Sequence, residues 1–316
     1  MMNIGIDTMG GDFAPLEALR GVKKYLSQNE GNGIQLTLFG DEAAIKEIIA
    51  EEQIPEEQVT VVATTQIIGM HEHPTKALKE KTDSSIAVGF QYLAKGKTNA
   101  FVSAGNTGAM LVGTLFSIKT IEGILRPVIS SIIPKKNGGT GLVLDVGLNA
   151  DCKPEQLNQF ATLGAVYAKH ILEIPHPKVG LINVGEEEGK GNILTQGAYP
   201  LLKENRNIRF IGNIEGRDLF NDKADIMVCD GFTGNIILKL AESIYDISTA
   251  EALNNSYLNR FNFEIYGGTP VLGVEHPVVV GHGISKATAF SNMILVAEKM
   301  LQTDVLQKLK EAVQQS

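Results

Sequence analysis

The chain has 316 residues, 43% of them hydrophobic and 20% charged, which is enough apolar side chain to bury a large core. A formal net charge of -8 argues against nucleic acid as a partner, and two cysteines, Cys152 and Cys229, with no CxxC or ligand spacing, argue against a disulfide framework or a zinc site. No apolar run reaches the roughly 18 residues that span a bilayer, and the first residues have neither a basic start nor a signal-like core, so cytoplasmic residence is expected.

Asn3 to Asp7 reads as a buried strand and Pro15 to Leu26 as an amphipathic helix with proline near its first turn, so a βα unit opens the chain. Leu36 to Gly40 and Val59 to Ala63 are further strands, separated by a helix from about Asp41 to Glu51 that Asp41 can cap. A long helical pattern follows Pro74 to about Lys95. Ala100 to Ser103 is a short strand, Thr107 to Lys119 a helix of small and apolar residues, and Val128 to Ile133 and Leu142 to Val146 are strands. The alternation continues with a helix at Glu155 to Leu172 and strands at Val179 to Asn183, Ile208 to Ile211 and Asp225 to Cys229. This order predicts an α/β fold, Rossmann-like, with a mostly parallel sheet covered by helices on both faces. Between Lys239 and Phe263 the apolar spacing loosens into Ser, Asn and Tyr, so residues 240–263 are expected to form a mobile excursion. With no linker or repeat, residues 1–316 are expected to make a single catalytic unit whose two lobes share a central cleft.

Thirty-three glycines cluster behind the apolar runs, which is how loops at the carboxyl edge of a parallel sheet look in sequence. In Val184-Gly185-Glu186-Glu187-Glu188-Gly189-Lys190-Gly191-Asn192, one lysine sits among glycines after a strand, and a helix starting near Asn192 adds its positive end. Lys190 is therefore the candidate charge for a phosphate or an oxyanion, although three neighbouring glutamates oppose such a ligand unless they turn away or pair with basic groups.

After the first strand, Asp7, Gly10, Gly11 and Asp12 can line a cleft, or Asp12 can cap the helix. At the next junction Ser103, Gly105, Asn106, Thr107 and Gly108 offer small donors at a helix start. A nucleophilic Ser103 is the sharper alternative, but GxSxG is absent. Asp230, Thr233 and Asn235 repeat the pattern, with Asn235 as the amide donor that a carbonyl oxygen gathering charge requires. Cys229 reads as a buried inert thiol before an acyl acceptor. His282, between two glycines, either contacts the cleft or caps the next helix, and His71 and His73 read as loop residues before metal ligands. No metal and no cofactor are expected.

Together, Asp7 to Asp12, Ser103 to Gly108, Gly185 to Gly191, Gly212 to Asp218 and Asp230 to Asn235 resemble the phosphate acyltransferase (PlsX) family, bacterial acyl-carrier-protein:phosphate acyltransferases, from Met2 to about Leu301. Thr8 stands where the family usually has alanine, and the region from Ile244 to Phe263 is shorter and more polar than the family's. The resemblance implies an isocitrate-dehydrogenase-like or phosphotransacetylase-like α/β/α architecture and transfer of a long-chain acyl group from acyl carrier protein to inorganic phosphate, forming acyl phosphate for phospholipid (phosphatidic acid) synthesis. It also implies a homodimer and peripheral association with the inner face of the membrane. In that reaction Lys190 would neutralise phosphate or the oxyanion, Asn235 would donate to the thioester oxygen, and the turns at Gly10-Gly11 and Gly105 to Gly108 would hold phosphate and pantetheine. Because acyl carrier proteins are acidic, Lys76, Lys79, Lys81, Lys135, Lys136 and Arg217 are the expected docking cations. The rivals are a short-chain phosphotransacylase using coenzyme A and a non-catalytic scaffold for lipid synthesis. A dinucleotide dehydrogenase lacks its G-x-G-x-x-G after the first strand.

Overall fold

The structure, a computed structural model, describes residues 2–29 and 33–314. The chain forms two compact units, Met1–Lys119 with Phe263–Gln302 and Thr120–Asn262 with Thr303–Ser316. In chain order the first part of the first unit is β1 (Met2–Asp7), α1 (Leu16–Gln28), β2 (Ile34–Gly40), α2 (Glu42–Glu52), β3 (Val59–Ala63), α3 (Pro74–Glu80), α4 (Ser85–Ala94), β4 (Ala100–Ser103) and α5 (Thr107–Ser117). The second unit carries β5 (Val128–Pro134), β6 (Thr140–Leu144), α6 (Pro154–His170), β7 (Lys178–Ile182), α7 (Ile193–Glu204), β8 (Arg209–Ile214), β9 (Ile226–Val228), α8 (Gly231–Ala250) and α9 (Ser256–Asn259). The first unit is completed by β10 (Thr269–Leu272), β11 (Val278–Val280) and α10 (Ala287–Gln302), and α11 (Val305–Gln314) returns to the second.

The strand order is β3-β2-β1-β4-β11-β10 in the first unit and β5-β6-β9-β7-β8 in the second. All neighbours in both are parallel except β10 with β11 and β5 with β6. A parallel strand is covered on both faces, so it is apolar nearly throughout. In β1, Ile4 and Ile6 pack with Leu36, Leu38 and Val102 against Leu19 and Val22 of α1 and Phe290 and Met293 of α10. Gly5, between them, faces the other side, where Phe39, Phe90 and Phe101 meet edge to face at 5.1–6.0 Å. This is the expected layering of helices on both sides of a sheet. In the second unit, Gly164 lets α6 lie on Leu144 and Ile226, and α7 meets β8 through Tyr199 and Phe210, whose rings are 5.2 Å apart.

The expected capping of α2 holds, because Asp41 Oδ1 accepts the Ala44 N–H at 2.9 Å. One expectation needs correction. The helical pattern from Pro74 to Lys95 is two helices: Lys81 leaves the helical path to bond Glu72 and the Ile67 carbonyl oxygen, and Ser84 caps a new start. The segment 240–263 is largely helical, since α8 continues unbroken to Ala250 and Asn255 caps α9 with bonds to two N–H groups. Among the described residues no helix is long and apolar enough to cross a membrane.

Candidate active site

In the first unit, the turns after β1 and β4 are bonded into one another. Asp7 is fully buried; its carboxylate accepts Ser103 Oγ–H at 2.6 Å and the Met9 N–H at 3.0 Å, and Ser103 Oγ in turn accepts the Gly105 N–H at 3.0 Å. Burial pushes the Asp7 carboxyl up, against the lowering effect of these donors. A side chain at Gly10 would strike both the Asp7 carboxylate and the Gly105 backbone, so only glycine lets the two turns touch. Gly11, at φ +101°, turns the chain so that the Asp12 N–H reaches the Gly283 carbonyl oxygen at 2.8 Å. Asp12 itself is exposed and does not cap α1, whose N-cap is Pro15.

These contacts redistribute the roles expected of the sequence candidates. Ser103 is buried with its proton directed at Asp7, an arrangement that orients a turn and offers no nucleophile. Asn106 caps α5 through Oδ1, and its amide N–H groups go to the carbonyl oxygens of Gly69, Met70 and Glu72. Thr107 is the exposed first residue of α5, while Gly108 leaves room for Pro74. The His282 ring stacks on Phe263 at 5.0 Å, and its Nδ1 lies 3.5 Å from the Ile284 N–H.

In the second unit, the loop Val184 to Asn192 leaves β7 and enters α7, which Asn192 caps by accepting the Thr195 N–H at 2.9 Å. Gly191, at φ +98°, lies so close to Thr195 Oγ1 and the Asn183 side chain that no Cβ fits. Lys190 is exposed, and among the described residues its ammonium makes no ion pair. Two of the three opposing glutamates are paired with other lysines: Glu186 with Lys223 at 2.6 Å and Glu188 with Lys203 at 3.0 Å. Glu187 serves through its backbone, its carbonyl oxygen accepting from Asn213 Nδ2 at 2.8 Å and from the Lys190 N–H at 3.1 Å. Two glutamate charges are thus offset by other lysines, and Lys190 stands just before the positive end of a 12-residue helix.

A cavity of about 430 Å³ opens beside this loop, lined by Asn183, Val184, Gly191, Asn192 and Thr195 on one side and Cys229, Asp230 and Thr233 on the other. Two helix N-termini therefore meet it, those of α7 and α8. Asp230 caps α8, accepting the Thr233 N–H at 2.8 Å and the Thr233 Oγ–H at 2.9 Å. Asn235 lies in the second turn of α8, exposed, with its amide beside Gly147. Burial pushes the Cys229 thiol up, as do Asp230 and Asp145; the half-buried Cys152 thiol is pushed up to about 12 by burial, and Asp145 adds to it. Neither thiol is poised to act as a nucleophile.

Asp145 was assigned no role from the sequence. Fully buried at the end of β6, its carboxylate accepts the N–H groups of Gly147, Leu148 and Asn149 at 2.6–3.2 Å, and Asn149 hands on its carbonyl oxygen to the Gly231 N–H that begins α8. Its signal was the strand-then-turn order Asp145-Val146-Gly147-Leu148-Asn149, the same as that of the turns that were picked out. Lys135 is a correction: it is buried and paired with Asp225 at 2.5 Å, so it cannot dock a partner, and Lys81 is engaged by Glu72. Lys76, Lys79, Lys136 and Arg217 are exposed, although Arg217 pairs with Glu215. Among the described residues no group of three or more His, Cys, Asp or Glu side chains could hold a metal ion, and His71 and His73 are loop residues before α3.

Solved structures share this architecture. A phosphotransacetylase from Streptococcus pyogenes superposes with a TM-score of 0.67 at 16% identity, covering 99% of this chain and 94% of its own. A branched-chain phosphotransacylase from Enterococcus faecalis V583 gives 0.61 at 16% identity, covering 95% and 99%. At such identities the likeness is one of fold, which is α/β and phosphotransacetylase-like as expected. Sequence relatives are nearer. The phosphate acyltransferase of Halothermothrix orenii is 41% identical over 99% of this chain and 98% of its own length, and that of Dictyoglomus turgidum is 41% identical over the same shares. Residues 2–308 match the family described as "Fatty acid synthesis protein". With the lysine loop, the interlocked glycine turns and the capped start of α8 all in place, the chain belongs to the phosphate acyltransferase family and is an acyltransferase.

Proposed function

We propose that this acyltransferase moves a long-chain acyl group from the thioester of an acyl carrier protein to inorganic phosphate, forming acyl phosphate for phospholipid synthesis. The observation that carries the reading is Lys190, a cation without an ion pair among the described residues, held just before α7 in a loop where two of three glutamates are matched by other lysines. Phosphate is an anionic nucleophile near neutral pH, so what the reaction asks of a protein is positioning and charge stabilisation. In this reading Lys190 faces phosphate or the developing oxyanion, and Asn235 donates to the thioester oxygen. The turns at Gly10-Gly11 and Gly105 to Gly108 are assigned to substrate oxygens and the pantetheine arm.

The test offers labelled phosphate with either a long-chain acyl carrier protein or acetyl coenzyme A. Acyl phosphate is expected chiefly from the carrier protein. A faster reaction with acetyl coenzyme A would replace this reading with a short-chain phosphotransacylase, and carrier binding without product would replace it with a scaffold. In the same assay Lys79→Glu is expected to raise KM for the acidic carrier and leave that for phosphate unchanged.

The reading includes a homodimer and peripheral contact at the inner face of the membrane. Support comes from α8, where Phe232, Ile236, Leu240 and Ile247 recur at helical spacing and are each more than half exposed. Paired Leu240→Asp and Ile247→Asp substitutions are expected to reduce co-flotation with anionic vesicles. Unchanged flotation with loss of dimer in sedimentation would assign the stripe to subunit contact instead.

A further inference from the structure

The motif Gly212 to Asp218 has no substrate role in the reading above, yet two of its side chains tie it to the lysine loop, Asn213 through the Glu187 carbonyl oxygen and Asp218 through Lys223. Asp218 is buried and closes the tight turn Gly216–Asp218, its Oδ2 accepting the Glu215 N–H at 3.0 Å. Asn221 Nδ2 donates to Asp218 Oδ1 at 3.0 Å, and Asn221 Oδ1 accepts the Lys223 N–H at 2.8 Å. Lys223 therefore leaves this turn in a set direction. Its Nζ bonds Asp218 Oδ2 at 2.9 Å and Glu186 Oε1 at 2.6 Å. Burial by itself would raise the Asp218 carboxyl, but the Glu215 N–H, Lys223 and Asn221 hold it down at about 2, so it is ionised at any working pH. Beside this bridge, Asn213, 3% exposed, gives its amide N–H to the Glu187 carbonyl oxygen while its own Oδ1 finds no partner among the described residues, and Asn183 Nδ2 donates to the Lys190 carbonyl oxygen at 3.1 Å.

We propose that Asp218, Lys223 and Glu186 form a positioning relay: a buried carboxylate fixes Lys223, and Lys223 fixes Glu186 and with it the loop that presents Lys190. Lys223 has a second effect by geometry, since it removes from the loop a negative charge that would otherwise compete with an anionic ligand for Lys190. The three residues touch no substrate and act only through the loop. The inference rests on the assignment of Lys190 to the anion, and its test separates the two.

The variants are Glu186→Gln, at a largely exposed side chain whose loss leaves the Asp218 turn intact, together with Lys223→Ala, Lys223→Arg and the pair Glu186→Gln with Lys223→Ala. KM for phosphate is expected to rise about threefold in Glu186→Gln and about tenfold in Lys223→Ala, sizes typical of a partly exposed ion pair and of a small network, with KM for the acyl donor changed less than about twofold. The double variant is expected to match Lys223→Ala alone, as members of one relay should. Lys223→Arg, which keeps the bridge, should recover to within about twofold of the original value. Tryptic cleavage after Lys190, followed by mass spectrometry on the unliganded protein, should accelerate in the same order as KM rises. The relay is overturned if Glu186→Gln and Lys223→Ala leave cleavage at Lys190 unchanged, or if both substrate KM values rise together with a lowered melting temperature. Faster cleavage at Lys190 with full activity of Lys190→Ala would sustain the relay and remove Lys190 from the reaction. Unchanged cleavage with an inactive Lys190→Ala would do the reverse.

Discussion

Lys190→Ala is expected to lower kcat/KM for acyl phosphate formation about 10²-fold or more, with the fold intact. The size follows from what the charge does: one preorganised donor facing a developing oxyanion is typically worth about 10²–10³ in turnover, or about 2.7–4 kcal/mol. The structure gives reasons to expect a loss of that order at this position. Lys190 makes no ion pair among the described residues, so its charge is not already consumed. Glu186 and Glu188 are held by Lys223 and Lys203, so removing Lys190 leaves no other loop cation to take over. Exposure predicts that the melting temperature barely moves, because surface substitutions away from caps and cores stay within about 0.5 kcal/mol. The two ways Lys190 can act also separate. A rise in KM for phosphate with kcat preserved places it on the nucleophile; an equal fall in kcat and kcat/KM places it on the oxyanion. Turnover within about threefold of the original would remove Lys190 from the active site altogether.

Gly234→Ala is expected to destabilise the protein by about 3 kcal/mol or more and to abolish activity in what remains folded. A Cβ at this position of α8 would run into the Asp145 carbonyl oxygen and carbon, and it would also crowd Cys229 Sγ. The obstacle is backbone, which cannot rotate away. It belongs to the residue whose carboxylate gathers the N–H groups of Gly147, Leu148 and Asn149, and whose loop receives the first N–H of α8. Displacing either side unseats the helix start that carries Asp230, Thr233 and Asn235. Gly216→Ala is the comparison, since no atom lies within 4 Å of its Cβ, and it is expected to be neutral within about 0.5 kcal/mol. Equal denaturant midpoints for the two variants would show that α8 can shift away from β6 at little cost.

Local pattern carried much of the fold. The inner parallel strands are covered on both faces and so read as short apolar runs, and most are followed by a glycine turn where the chain leaves the sheet. That is why β1, β2, β3, β4, β7 and β9 could be placed within a residue or two. The break between α3 and α4 was not legible, since it depends on Lys81 reaching back to Glu72 and Ile67. The helical run of α8 through Ala250 was hidden for a different reason: one face of it is unburied, so the apolar spacing that signals a core-facing helix is diluted.

The candidate site divides along the same line. By itself the amino-acid sequence determined where the glycine turns and helix starts lie, because glycine at a strand end and an N-cap such as Asn192 or Asp230 act over a few residues. Only the tertiary structure decided what those side chains are free to do. The carboxylates of Glu186 and Glu188 are matched by Lys223 and Lys203, 37 and 15 residues away, Ser103 is claimed by Asp7 across 96 residues, and Lys135 disappears into a pair with Asp225 across 90. Whether a charge is spare or consumed depends on distances of a few ångströms between distant parts of the chain, and local pattern holds no record of them.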